Sequence, residues 1–363
     1  MKKTLFFLSY SLLCALLLTS CGGDSVTSDT DVPTTPFTDE QTAADTVIPE
    51  DQKVYYVDPL TGLADSEKDI SDIRPIAVVL KNDAYGAPQF GIAKADVVYE
   101  VTVEGGMTRL LALYTDYSSV DKIGPVIDSR APFYRIASLN DAVLIKAGTT
   151  SYAKTIQNGL NVSCIDAIMG EMAPLFERNK ELIDSRGYSS SILADGSCFS
   201  SKMKSSGISV KRGESSQTVM SFYDTAQVLS TGDYCIKLTV PYSAVSAPYF
   251  EYSTLTNSYT RYQFGNVHSD ADGTILKYTN VVVLFAKHLI TDSTTGEMDI
   301  DISSGGDGYY AHGGRYIPIK WGYNSSDGRF IYTDENGTLL KFSPGNTFVC
   351  VASEKTRSKI TFN

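Results

Sequence analysis

Three histidines and one tryptophan in 363 residues leave little material for the commonest catalytic and metal-binding chemistry. The chain has no GxSxG, HExxH, GxxxxGK[ST] or GxGxxG. Nucleophile-elbow hydrolases, zinc proteases, P-loop NTPases and dinucleotide enzymes therefore lose their sequence support. Its six cysteines form no CxxC and no Cys/His cluster, so no metal site is expected on them. Asp270-x-Asp272-Gly273 begins like a calcium loop but lacks the later ligands and the closing Glu. No cofactor is implied. Basic residues are also scarce: with Lys+Arg 31 against Asp+Glu 42 the formal charge is -11, a poor basis for binding nucleic acid. Lys202, Lys204, Lys211 and Arg212 stand in a Ser-rich stretch and read as a solvated linker or loop.

What is present first concerns location. Lys2 and Lys3 precede an apolar run from Leu5 to Leu18 that ends in Leu18-Thr19-Ser20-Cys21, the pattern of a signal peptide with a lipobox. The expectation is a signal peptide over 1–20, removed by cleavage, and an acyl anchor of the palmitate kind on Cys21. The protein would then stand on the outer face of the bacterial cytoplasmic membrane with a mature charge of about -13. Residues 22–52 contain no Lys or Arg and show no periodicity, so 21–54 reads as the lipidated cysteine with a disordered acidic stalk. Such a chain reaches about 30 Å. Cys164, Cys198, Cys235 and Cys350 remain, and export permits disulfides among them without choosing a pairing.

Texture divides the rest. Residues 55–199 alternate strands with helices and read as an α/β domain with a mixed sheet; 200–217 is a Ser/Lys-rich linker; 218–363 reads as a mainly-β domain, sandwich or barrel-like. Alternation at Val97, Tyr99, Val101 and Val103, a Gly105-Gly106 turn and a return over 110–114 make a β-hairpin. Ile123 to Ile127 reads as a strand and Pro132 as the opening of a helix. Asp141 to Ala147 is apolar enough for a buried strand, and Tyr152 to Asn158 reads as a helix closed by Gly159.

These junctions carry the candidate chemistry. Asp128, Ser129 and Arg130 fall at a helix start, where free N–H groups favour an anion; Lys146, Thr149, Thr150 and Ser151 fall at the next. Two such junctions on one sheet edge would cradle a phosphate or carboxylate. The plainer reading has Asp128 or Ser129 capping its own helix and Arg130 pairing with Asp128. Glu100, Glu104 and Arg109 flank the glycine turn, either as ion pairs or with Arg109 as a second cation of the cleft. His268 with Asp270 reads as an oriented imidazole or as a hairpin loop; His288 and His312 read as structural or solvent-facing. Aromatic residues crowd the second half, Tyr249, Tyr262, Tyr316 and Trp321 among them, and suit either cross-strand packing or glycan stacking.

"DPLTGL" at 58–63, "ADVVYEVTVEGGMTRLLALYTDY" at 95–117, "KIGPV" with Ser129-Arg130, "YTRYQFGNVHSDADG" at 259–273 and "GYYAHGGRYIPIKW" resemble the YerB-like lipoproteins of Gram-positive bacteria. The likeness covers nearly everything after the stalk and implies location and architecture, since that family is a pair of domains of unknown function. Glu104, Arg109, Arg130, Arg261, His268 and Asp270 match its pattern. Lys146 stands where the family carries His before Ala-Gly, and "FERNKELIDSRGYSSSIL" replaces an Arg-rich segment, of which Arg178 keeps part. More distantly, the hairpin followed by a strand delivering an arginine to a helix start resembles the LytR-CpsA-Psr transferases.

Two functions follow as expectations. One is a surface-anchored binding or assembly lipoprotein of the cell envelope with an anion-receptive cleft at Arg109, Arg130, Lys146, Thr149 and Thr150; its partners would be the membrane, a cell-wall glycan or phosphorylated lipid, or a protein. The other is an envelope transferase or hydrolase for a glycopolymer or polyprenyl phosphate, with Asp128 or Glu104 as candidate base.

Overall fold

The computed structural model describes residues 54–363 apart from 170–173, 215, 217 and 325. The signal peptide, Cys21 and nearly all of the stalk read from the sequence lie outside these residues. Within the described chain the α/β half supplies β1 (Ile76–Asn82), β2 (Val97–Thr102), β3 (Thr108–Tyr114), α1 (Ala131–Leu139), β4 (Val143–Lys146), α2 (Ser151–Leu160), β5 (Cys164–Asp166), α3 (Lys180–Arg186) and α4 (Phe199–Ser205). The β half supplies β6 (Lys237–Thr239), β7 (Tyr249–Ser253), β8 (Ser258–Gln263), β9 (Asn280–Asp292), β10 (Glu297–Asp301), β11 (Gly306–His312), β12 (Arg315–Tyr323), β13 (Phe330–Asp334) and β14 (Thr347–Ser353).

A 12-stranded sheet draws on both halves, in the order β12-β11-β9-β14-β2-β3-β1-β4-β5, with Asp233–Tyr234 beside β12 and with β10 and β13 on β9 and β12. The seam is β14, which runs parallel to β9 on one side and to β2 on the other. β1, β4 and β5 are also parallel, and β3 opposes its neighbours β1 and β2, as β11 opposes β9 and β12 in the other half. The near-continuous apolar runs of β1, β2 and β14 are what a strand covered on both faces requires. One face packs against a 6-stranded sheet built on β6, β7 and β8 through Leu238, Phe250 and Tyr259. The other buries Phe133, Tyr134 and Ile136 of α1 with Trp321 and Tyr332. An α/β part and a mainly-β part thus meet in one sheet.

The hairpin stands as read, with Gly105 and Gly106 both at positive φ; a Cβ on Gly106 would come within 2.8 Å of Ser243. Three local features differ from the sequence reading. Ile123 to Ile127 forms isolated bridges to Ala194, Phe90 and Leu80 instead of a strand, because Gly124-Pro125 withholds a donor from any ladder. α2 runs through Gly159 and ends at Asn161, which takes the left-handed conformation at φ 51. The segment expected as linker begins inside α4, with Met203 buried, and Lys211 bonds to Asp72 at 2.5 Å. Cys164, Cys198, Cys235 and Cys350 are free thiols. No helix among the described residues is long and apolar enough to cross a membrane.

Candidate functional site

β1, β2, β4 and β5 run the same way, so their carboxyl ends gather at one edge of the sheet, where the first residues of β3 also lie. Lys81 near the end of β1 is directly opposite Arg109 near the start of β3. The bridge Ser129–Thr149 and the bond from Ser129 N to Gly148 O, 2.9 Å, bring the two predicted junctions side by side. Gly148 is the contact point: a Cβ there would stand 3.5 Å from the Asp128 Cβ and 3.0 Å from Ile168.

Asp128 is the centre of this edge. Arg109 lies 3.1 Å from one of its carboxylate oxygens, while Arg130 bonds to the other and reaches Glu104 at 2.5 Å. Neither Asp128 nor Ser129 caps α1; Arg130 occupies the N-cap position with no side-chain bond to the helix. The carboxylate is drawn away from the helix amides because two guanidinium groups offer charge-assisted bonds. Burial works to raise the Asp128 carboxyl, but Arg109 and Arg130 bring it below its usual range. Burial likewise works to lower the Arg130 guanidinium, and Glu104 with Asp128 holds it above its usual value. An aspartate so stabilised as an anion is a weak base.

Lys146 pairs with Asp166, whose second oxygen accepts Gly148 N at 2.9 Å and Ile168 N at 3.1 Å. Thr149 accepts a bond from Tyr134 Oη at 2.9 Å. Thr150 caps α2 by accepting from Ala153 N at 3.1 Å and donates to Glu297. Lys81 Nζ donates to Ser189 and Ser190 at 3.0 and 2.8 Å. The same loop holds Arg178, which donates to Tyr188 O at 3.0 Å and lies 3.7 Å over the Tyr188 ring. The edge thus assembles four cations, Lys81, Arg109, Arg130 and Lys146, each facing a carboxylate. Lys81 and Asp166 escaped the sequence reading; the signal for Lys81 was its place as the penultimate residue of β1, opposite the hairpin arginine.

Arg261, His268 and Asp270 are elsewhere. Arg261 on β8 is fully buried and bonds to Glu100 at 2.7 Å, so Glu100 is a partner of the second half and not of Arg109. Thr108 and Asn82 complete the Glu100 carboxylate at 2.7 and 3.2 Å. The guanidinium also meets Gln263 at 2.7 Å and His268 Nδ1 at 2.6 Å. An arginine only donates, so Nδ1 accepts and the imidazole is neutral, with its proton on Nε2 toward Gln89 Oε1 at 2.7 Å. Burial, aided by Arg261, lowers the His268 pKa well below its usual value. Asp270 turns away from His268 and accepts Gly91 N and Ala93 N at 3.2 and 2.9 Å. These residues join the two halves, with Arg261 and His268 buried and Asp270 5% exposed.

Two family models match the chain: the N-terminal domain of DUF3048, described as a protein of unknown function, over residues 60–190, and its C-terminal domain over 238–349. A curated relative from Bacillus subtilis (strain 168), named "Putative lipoprotein YerB", is 26% identical over 319 residues, which is 84% of this chain and 88% of the relative. The crystal structure of the YerB protein from Bacillus subtilis superposes with a TM-score of 0.72 at 25% identity, covering 85% of this chain and 99% of that one.

Proposed function

Because the chain belongs to the DUF3048 family and carries both of its domains in order, we propose that it is an envelope lipoprotein, anchored through Cys21, that binds an anionic ligand at the Asp128 edge. The anchor rests on the lipobox and on the name of the relative; the division into 55–199 and 218–363 enters as two family modules sharing a sheet. One observation carries the ligand: two guanidinium groups, 12% and 13% exposed, converge on one carboxylate that is itself 33% exposed. The least buried member is the replaceable one. A phosphate or carboxylate would take the place of the Asp128 side chain and inherit its bonds from Arg109 and Arg130, with Lys81 and Lys146 adding charge. Thr149 and Thr150 border that position, whereas Arg178 serves it through the 188–191 loop.

Thermal shift of the full chain with pyrophosphate tests this. Wild type should be stabilised, Arg130→Ala should lose the shift, and Asp128→Asn, which removes the resident negative charge at nearly the same side-chain size, should increase it. No stabilisation in either wild type or Asp128→Asn would sink the reading.

A second reading is favoured by the rim. Met107, Ile168 and Met169 are 49%, 53% and 77% exposed on the loops that border the charged edge. An apolar rim suits a phosphate that carries a hydrocarbon chain, the substrate of the transferase or hydrolase alternative. Its base would be Glu104 in preference to Asp128. Release of phosphate or transfer from a polyprenyl phosphate, abolished in Glu104→Gln, would favour that enzyme; stabilisation without turnover would favour the binding protein.

A further inference from the structure

On the face of the sheet that carries α1, an open groove lies beside β13. One stretch, about 570 Å³, lies between β13 and the side chains of Ser216, Thr218, Val219 and Ser221. Another, about 480 Å³, continues past Tyr323 to Ser138 and Leu139 in the last turn of α1. Ser216, Thr218, Val219, Arg329 and Phe330 line both, so they form one trough. Each stretch alone is within the size of a small-molecule site, ~300–1,000 Å³.

Its chemistry is selective. Phe330 forms the floor, stacked on Trp321 at 5.9 Å, with Tyr323 edge-on to it at 5.5 Å and 47% exposed. Around these rings the polar groups are mainly neutral: hydroxyls of Ser138, Ser216 and Thr218, and the Asn324 carboxamide. The charges present are matched, Arg329 by Asp327 of the trough at 2.5 Å and Asp141 by Arg74 from outside it at 3.2 Å. The Ser216 hydroxyl is shielded from solvent without a hydrogen-bond partner among the described residues. An ion would meet no net charge here, and a wholly apolar ligand would leave hydroxyls unsatisfied. A chain of polyol rings meets both demands, offering C–H faces to the aromatic rings and hydroxyls to the walls.

We propose that this trough binds a neutral oligosaccharide, one ring lying against Tyr323 and its neighbours bonded to Asn324 and Thr218. The site is separate from the Asp128 edge and does not depend on the reading given for it. An extended peptide laid along the trough is the competing occupant.

The reporter is built in, since Trp321 is the single tryptophan of the chain and stacks on the floor of the trough. The experiment titrates the full chain with a β-1,4-linked N-acetylglucosamine tetramer and with cellotetraose, following Trp321 emission. At least one sugar should give a saturable change, weakened ten-fold or more in Tyr323→Ala, retained in Tyr323→Phe and unchanged in Arg130→Ala. No saturable change with either sugar at millimolar concentration overturns the proposal. So does an equal response from Tyr323→Ala of unchanged melting temperature, or a response to an uncharged extended octapeptide alone.

Discussion

Glu100–Arg261 and Asp128–Arg130 are both carboxylate–guanidinium pairs, and they differ in what surrounds them. The first is sealed at 0% exposure of both side chains, beneath the seam between the halves. The second opens to solvent at the strand edge, 33% and 13% exposed. Burial turns the same chemistry into two roles. A sealed pair can exchange with nothing, so its energy is that of the fold; an open pair can surrender one partner to a ligand of like charge. The fold thereby keeps the arginines that match the family pattern in two classes that sequence spacing does not separate.

The comparison breaks hardest at Arg261. Arg261→Met leaves the Glu100 carboxylate buried without its cation, a loss of about 3–5 kcal/mol. Chemical denaturation should show it, with a melting temperature lower on the order of 10 °C. Adding Glu100→Leu should restore most of that stability, because the paired apolar replacement removes the stranded charge. A double variant as unstable as the single one would mean that the pair does more than balance itself.

His268 sharpens the same side through pH. The folded imidazole is held neutral, whereas the unfolded chain takes up a proton near pH 6.5. The unfolded state binds more protons as pH falls, so this residue's contribution is present at neutral pH and is lost below about 6.5, by up to about 1.4 kcal/mol per pH unit. His288, pushed down to about 4 by burial, acts in the same direction. His268→Gln keeps a donor and an acceptor, so its denaturation midpoints at pH 7 and pH 5 should lie closer together than those of wild type. Equal losses would show an imidazole free to protonate.

The open side should respond least in stability. Arg130→Ala removes a partly solvated pair, worth about 1 kcal/mol, while its effect on pyrophosphate binding is the whole signal. A loss comparable to that of Arg261→Met would erase the distinction between the two pairs.

The sequence was most readable where chemistry is local. The Gly105-Gly106 hairpin, α1 with its early proline and the apolar run of β4 each announce themselves through turn residues or periodicity, and the lipoprotein-family resemblance was carried by contiguous motifs. The two junctions could also be set side by side, because strand-to-helix order predicts which strand ends gather. Long-range choice was not readable. Nothing near Arg261 says that its partner is Glu100, 161 positions earlier, and nothing near Asp128 says that two arginines draw it off the helix it precedes. Gln89 and Lys81 lay in stretches with no motif, although one orients the buried imidazole and the other faces Arg109.

Val97 of β2 pairs with Thr347 of β14, 250 positions later. Ribosomes deliver a chain from its N-terminus, so the hairpin made first waits with one edge open until almost the whole second half has followed. Its unpaired ladder is, for that interval, a template for any passing strand. Early release of the chain before β14 would therefore yield not a smaller working half but a sticky one, and the order of synthesis makes a companion that shields strand edges more useful to this protein than to one whose sheet closes as it emerges.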